Sequence, residues 1–456
     1  MAPQELTEKT ATELGPLIKS RKISPVELTD ACLAQIAAHD KQINAFLTVT
    51  AERARAHAKQ AEADIAKGRY KGPLHGIPYA VKDIIATKGI RTTNGSRATA
   101  NNVPTADAAV VTRLEQSGAI LLGKLNLLEF AVGSGQRGLN GPARNPWSLI
   151  HSPSGSSSGS GAALAARMTP LTLGTDTGGS IRGPAKSCGV AGMKPTYGLV
   201  PVDGVTTLSW SLDHVGPMAR SVADVAKLLD AITGQLFPHK PTVKGLRIGI
   251  PKDYFFTNVH PETDAALRQV MTQLTQLGAI LTEFSIPNAK MCGAVSAIIL
   301  GSESATYHQK RLQTQADQLD PLVRERLEAN SCYSAVDYIQ ALRLKTILTA
   351  ETDAVFQTCD AILLPAGNAA PLLTDEIANT DIPPVPPPPA RPDVVNLANI
   401  TGMPSLVIPC GFTTSKPTLP LGVQFCAPRG ADARLLQIGE AYQNATNHHR
   451  PSPMRS

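Results

Sequence analysis

A chain of 456 residues that is 42% hydrophobic and 18% charged has the length for a large core in one or two domains, and its composition is that of a soluble globular protein. The net charge of +6 is modest, the basic residues are scattered, and aromatics make up only 4%, so nucleic-acid binding is not expected. The N-terminal MAPQELTEKT is polar and no apolar run reaches about 18 residues, so neither a signal peptide nor a membrane span is expected. Seven dispersed cysteines with no CxxC pair fit reduced thiols in a cytoplasmic protein. No His/Asp/Glu cluster has metal spacing, so the expectation is no metal and no cofactor.

Residues 1–70 read as a helical segment packed on the remainder of the chain, 71–456. Ser24-Pro25-Val26-Glu27 is a capping box with proline at the first helical position. It opens a helix to about Asp40 that buries Leu28, Cys32 and Ile36. An Ala-rich helix follows over Ala51–Lys67. Gly72-Pro73 marks a turn before a strand in GIPYAVKD, Gly76–Asp83. The apolar run Ile77–Val81 suits burial of the Lys82 that ends it, with Asp83 as a neighbouring structural carboxylate. A helix is expected over Asp107–Gln116 and a buried strand over Ala119–Leu122. Gly118 to Lys124 superficially fits a phosphate-binding loop. Its spacer is an apolar strand, however, and Leu125 stands where Ser or Thr would bind magnesium.

The most informative stretch is Pro153–Pro195. A Gly/Ser loop, Ser154–Gly161, leads into an Ala-rich helix and an apolar strand, Leu171–Leu173. A second Gly-rich turn, Gly174–Ser180, closes the strand. Flexible linkers share this composition, but these runs bracket apolar secondary structure. A serine after two glycines at a strand end is open to substrate. Consecutive amides in such a turn can converge on an oxyanion. Serine needs a base to act as nucleophile. Lysine, ordinarily near about 10.4, becomes one when burial favours its neutral form. Arg182 is expected to tie a loop carboxylate such as Asp176, and His214 to be a packed residue.

Beyond it, a helix is read over Ser221–Ile232, a strand over Leu246–Pro251, a helix over Pro261–Leu277 and a strand over Ala279–Phe284. Residues 285–358 read as mainly helical. Strands return at Asp360–Pro365, Ser405–Pro409 and Leu421–Ala427, with a last helix from Ala431 to about Gln443. The proline run of residues 382–392 reads as a stiff surface connection. This alternation indicates an α/β layer architecture.

These motifs resemble the amidase signature family of serine hydrolases. GTDTGGSIRGPA (Gly174–Ala185) matches its hallmark turn. SGSSSGS (Ser154–Ser160) matches its serine loop, with Ser154 and Ser158 where the family usually has glycine. GIPYAVKD, GKLNLLEFAVG (Gly123–Gly133), SLDHVGP (Ser211–Pro217), GMPSLVIPCG and PLGVQFCAP match further segments in the right order. The resemblance implies an α/β fold with a mixed central β-sheet covered on both faces by helices. It implies a Ser–Ser–Lys triad with Ser180 as nucleophile, Ser156 as bridging serine behind a cis Gly155–Ser156 bond, and Lys82 as base. The amides of Thr177, Gly178, Gly179 and Ser180 would form the oxyanion hole. Ser134, in the loop Gly133–Gln136, would border the substrate. Gly183 departs from the larger residue usual in the family, which is expected to widen the pocket for a bulky or neutral acyl group. The implied activity is hydrolysis of a small-molecule carboxylic amide, aryl amide, ester or carbamate through an acyl-enzyme. The first expectation is an amidase acting by itself, with a homodimer left open. The alternatives are the glutaminase A subunit of a tRNA-dependent amidotransferase and an inactive binding or scaffold homologue.

Overall fold

The computed structural model describes residues 2–132, 139–369 and 393–455. Ser134 and the polyproline run lie outside the described residues. Eleven strands among those described form one sheet: β1 (Phe46–Val49), β2 (Pro78–Lys82), β3 (Ile120–Leu125), β4 (Leu171–Thr175), β5 (Ala191–Lys194), β6 (Val215–Ala219), β7 (Arg247–Pro251), β8 (Ile280–Phe284), β9 (Ala361–Pro365), β10 (Ser405–Phe412) and β11 (Pro420–Cys426). Their order is β1-β3-β2-β4-β6-β5-β10-β11-β9-β7-β8. The sheet is mixed. β2 runs parallel to both β3 and β4, whereas β4 pairs antiparallel with β6. β10 lies antiparallel to β5 and β11.

Every residue of β2 to β6 and of β9 and β11 is buried. Successive strand side chains point to opposite faces, so both faces of the sheet centre are covered. The edge strand β8 leaves Ile280 and Leu281 exposed. The first 70 residues contribute β1 to this same sheet, through its antiparallel pairing with β3.

The helices form where their caps and apolar spacing place them. Ser24 Oγ accepts from the Val26 amide, and the Glu27 carboxylate accepts from the Ser24 amide. The helix they start runs Pro25–Ile43. The helix Ala51–Ala66 buries Ala54, Ala58, Ala61 and Ile65, one stripe at helical spacing. Ser221 caps Val222–Thr233 by accepting from the Asp224 amide. The stretch read as mainly helical contains Cys292–Thr314, Pro321–Asn330 and Ala335–Val355. Its Val295, Ile299, Ala341 and Leu348 pack with Leu397 and Ile400 into a separate apolar cluster. Among the described residues, no helix is long and apolar enough to cross a membrane.

β2 and β4 are adjacent and parallel, so their C-terminal residues, Lys82 and Thr175, end on the same edge of the sheet. That edge is where open α/β sheets place ligands.

Candidate active site

Lys82 is fully buried at the end of β2. Its Nζ donates to Ser156 Oγ and to Thr175 Oγ1, both at 2.7 Å. Burial is the strongest influence on it and lowers its pKa to about 7, against the opposing pull of Asp176 and Asp213. Near neutrality the amine therefore has a lone pair available to a hydroxyl proton. Asp83 does not reach it. That carboxylate instead lies 3.2 Å from Lys124, itself buried in β3.

The serine-rich loop is stitched onto β4 by its own hydroxyls. Ser157 Oγ donates to the Thr175 carbonyl and accepts from the Thr175 amide, each at 3.2 Å. Ser160 Oγ donates to the Leu173 carbonyl at 3.2 Å. The fit requires Gly174, because a Cβ there would lie 2.8 Å from Ser157 Oγ. The Gly155–Ser156 peptide bond is cis. The Ser157 amide donates to the Ser180 carbonyl at 3.2 Å, which draws the two motifs together. Ser156 is buried and Ser180 is half-buried. Among the described residues, the Ser180 hydroxyl makes no hydrogen bond to Ser156. Catalytic hydrogen bonds commonly tighten only with substrate present.

The Gly-rich turn is held by one buried carboxylate. Asp176 Oδ1 accepts from the Gly179 amide at 2.8 Å, from Arg182 Nη2 at 3.0 Å and from Asn399 Nδ2 at 2.9 Å. Its Oδ2 accepts from the Ile181 amide at 3.2 Å and from Arg182 Nε at 3.0 Å. Burial by itself would raise this acid. The Arg182 guanidinium and these donors outweigh it and hold the carboxyl well below its usual range. Arg182 has the remaining acceptors it needs in the Val395 carbonyl and Gln424 Oε1. The expected Arg182–Asp176 tie is thus present, and it fixes the turn from inside.

One consequence concerns the oxyanion. The Gly179 amide is engaged by Asp176. The amides of Thr177, Gly178 and Ser180 have no hydrogen-bond partner among the described residues, so these three are free to receive an oxyanion. Thr177 Oγ1 donates to Asp213 Oδ1 at 2.7 Å, anchoring the turn a second time. Asp213 also accepts from the Leu208 and Ser209 amides. His214 is buried behind the turn, with Nε2 3.0 Å from Lys194 Nζ. Beside the turn lies a cleft of about 80 Å³ whose lining includes Ala131, Thr175, Thr177, Thr206 and Trp210.

The space beside Gly183 is not open in the way its sequence position suggests. A Cβ at Gly183 would lie 2.8 Å from Ser154 Oγ, so the Ser154 side chain already fills that room. Three other residues of the site carried no sequence signal. Thr175 reads as an ordinary β-former. Glu303, on the helix Cys292–Thr314, accepts from Ser209 Oγ, Ser211 Oγ and the Tyr338 hydroxyl and so braces the Asp213 loop. Asn399 lies far along the chain from the turn it supports.

Residues 27–436 match the family described as Amidase. The chain belongs to the amidase signature family. It is 36% identical over 489 residues to the A subunit of the glutamyl-tRNA(Gln) amidotransferase of Moorella thermoacetica, across 98% of this chain and 99% of that protein. It is 38% identical over 477 residues to an amidase of Pseudomonas putida, across 98% of each. Among solved structures it resembles one described as an unexpected vestigial protein complex that reveals the evolutionary origins of an s-triazine catabolic enzyme. The TM-score is 0.88 and the identity 32%, covering 96% of this chain and 98% of that one. Membership makes the chain an enzyme that acts on amide C–N bonds.

Proposed function

We propose that the chain hydrolyses a carboxamide through an acyl-enzyme on Ser180. The observation that carries this is the buried Lys82 in hydrogen-bond contact with Ser156 Oγ, at a pKa lowered to about 7. Neutral Lys82 takes the proton of Ser156, which takes that of Ser180 as its Oγ attacks the carbonyl carbon. The amides of Thr177, Gly178 and Ser180 receive the oxyanion, while Gly179 keeps the turn closed on Asp176. The proton then returns from Lys82 through Ser156 to the leaving nitrogen, and the C–N bond breaks. Water enters by the same relay, cleaves the Ser180 ester and releases the carboxylic acid.

Two settings for this chemistry differ in partner. The full-length matches to a series of amidotransferase A subunits give the stronger support, to a glutaminase that works within a multi-chain complex. The Pseudomonas putida amidase, matched equally fully, supports a chain that works by itself, as does the pairing of Gly183 with Ser154 in place of a large side chain at 183. The deciding experiment is ammonia release from glutamine and from simple primary amides by the purified chain alone, wild type beside Ser180→Ala. Turnover of simple amides that Ser180→Ala abolishes establishes the self-sufficient enzyme. Glutamine turnover that appears only when amidotransferase partner chains are added establishes the multi-chain setting. Turnover that survives Ser180→Ala refutes the nucleophile.

A further inference from the structure

Ser154 combines three properties that the proton relay does not use. Its φ is +66°, a left-handed conformation that residues other than Gly, Asn and Asp rarely adopt. Its amide donates to Ser152 Oγ at 3.0 Å, yet its own hydroxyl has no hydrogen-bond partner among the described residues. It is also part-exposed, as the nucleophile is. Between His151 and Cys188, only Ser154, Gly155, Gly178, Ser180 and Gly183 are not buried. These five residues come from both motifs, and each is part-exposed.

The position of the hydroxyl within that floor is set by Gly183. A Cβ at 183 would lie 2.8 Å from Ser154 Oγ, so the serine hydroxyl stands where a side chain at 183 would begin. Gly183 itself lies on the first turn after Ser180, with its amide donating to the Gly179 carbonyl at 2.8 Å. The leaving nitrogen must sit over the Ser156–Lys82 relay that protonates it. The Ser154 hydroxyl lies against Gly183, three residues after the nucleophile, and makes no contact with Lys82 among the described residues.

We infer that Ser154 is a specificity-determining residue that hydrogen-bonds a neutral polar group on the carbon next to the scissile carbonyl. This rests on the amidase reading above and extends it to a substrate class: small amides with a hydroxyl, carbonyl or amide group adjacent to the reacting carbon. A hydroxyl both donates and accepts, so it suits such neutral groups. The left-handed backbone holds it there, and the missing side chain at 183 leaves it room.

The test compares lactamide with propanamide, which differ by one hydroxyl at that carbon. Wild type, Ser154→Ala, Ser154→Gly and Gly183→Ala are assayed for kcat and KM. The same two amides are also titrated as protectants of Ser180 against a fluorophosphonate, a readout that does not need turnover. The wild type is expected to favour lactamide by about tenfold, as one neutral hydrogen bond allows, chiefly in KM and in protection. Ser154→Ala and Ser154→Gly each bring the ratio to about one. Gly183→Ala displaces the hydroxyl and does the same, and combining it with Ser154→Ala adds nothing further. A wild type that does not distinguish the two amides overturns the inference. So does a preference that persists in Ser154→Ala, or a loss that falls equally on both amides. Failure of the amidase reading is seen separately, as turnover or labelling that survives Ser180→Ala.

Discussion

The environment of Lys82 dictates a pH dependence that can be worked out in advance. An exposed lysine titrates at about 10.4, so at pH 7 roughly one molecule in 2,500 would hold it neutral. Burial lowers Lys82 to about 7. About half the molecules then carry a competent base at that pH, a gain of roughly a thousandfold in supply. kcat/KM is therefore expected to rise with pH through about 7 and to fall roughly tenfold per unit below about pH 6. Asp213, which desolvation pushes up to about 6, protonates over the same acid range and weakens its hold on Thr177, which steepens the limb. The assay is kcat/KM for a primary amide, with the rate of Ser180 phosphonylation, from about pH 5 to about pH 10. Wild type is compared with Lys82→Arg and Asp213→Asn. Arginine does not lose its proton, so Lys82→Arg is expected to lower both rates by about a thousandfold and to remove the limb near pH 7. Asp213→Asn keeps that limb and loses the steepening. A wild-type profile flat from about pH 6 to about pH 9, or a limb near pH 7 that survives Lys82→Arg, would refute the assignment of the base.

Three further outcomes follow from the same contacts. Because Lys82 titrates lower folded than unfolded, the unfolded chain binds more protons between about pH 7 and about pH 10, and this lysine makes stability rise with pH across that window. Lys82→Met should accordingly raise Tm more at about pH 6 than at about pH 10, read by differential scanning calorimetry. Arg182→Met leaves Asp176 buried without its cation and is expected to destabilise the fold by about 3–5 kcal/mol in denaturant unfolding; a cost below about 1 kcal/mol would mean the carboxylate finds other support. Glu303→Gln turns an amide NH2 toward two of the four donors that Ser209, Ser211 and Tyr338 present, and is expected to raise KM and speed proteolysis of the 206–213 loop.

Much of this site was legible because its chemistry is carried by local patterns. The apolar run before Lys82 announced its burial. The two Gly/Ser runs marked the turns that the structure draws together through the Ser157 amide and the Ser180 carbonyl, and the SIR sequence named the Asp176–Arg182 tie. The capping box at Ser24 set a helix start to the residue. What escaped was set by partners distant in sequence. β5 and β6, AGMK and VGPMA, are short, contain glycine or proline and have weak strand propensity. They are strands because of what lies beside them. A Cβ at Gly216 would fall 2.1 Å from the Met193 carbonyl, so that glycine serves a close approach of two strands and not a turn. The same holds for Gly183. Read alone, it suggests an open pocket. The serine that fills the space belongs to the other motif, and no pattern local to 183 encodes it.

The choice of Lys82 over its neighbours shows why a shifted pKa does not by itself identify a base. Lys124 and Lys194 are also buried, and burial lowers them to about 8 and about 7. Lys124 donates to the Ile85 carbonyl at 2.7 Å and to Thr92 Oγ1 at 2.6 Å, and it pairs with Asp83. Lys194 donates to the Pro195 carbonyl at 3.0 Å. His214 Nδ1 donates to the Leu212 carbonyl at 2.7 Å, which leaves its Nε2 to accept from Lys194. Of these partners only Thr92 Oγ1 is a hydroxyl, and neither lysine contacts Ser156 or Ser180 among the described residues. Those contacts favour the charged form and make structural anchors of both lysines. Lys82 instead meets two hydroxyls, Ser156 Oγ and Thr175 Oγ1. A hydroxyl can reverse from acceptor to donor by rotating its proton. Ser156 Oγ can therefore accept from a charged Lys82 or donate to a neutral one, which the proposed relay requires and which no serine offers Lys124 or Lys194 among the described residues.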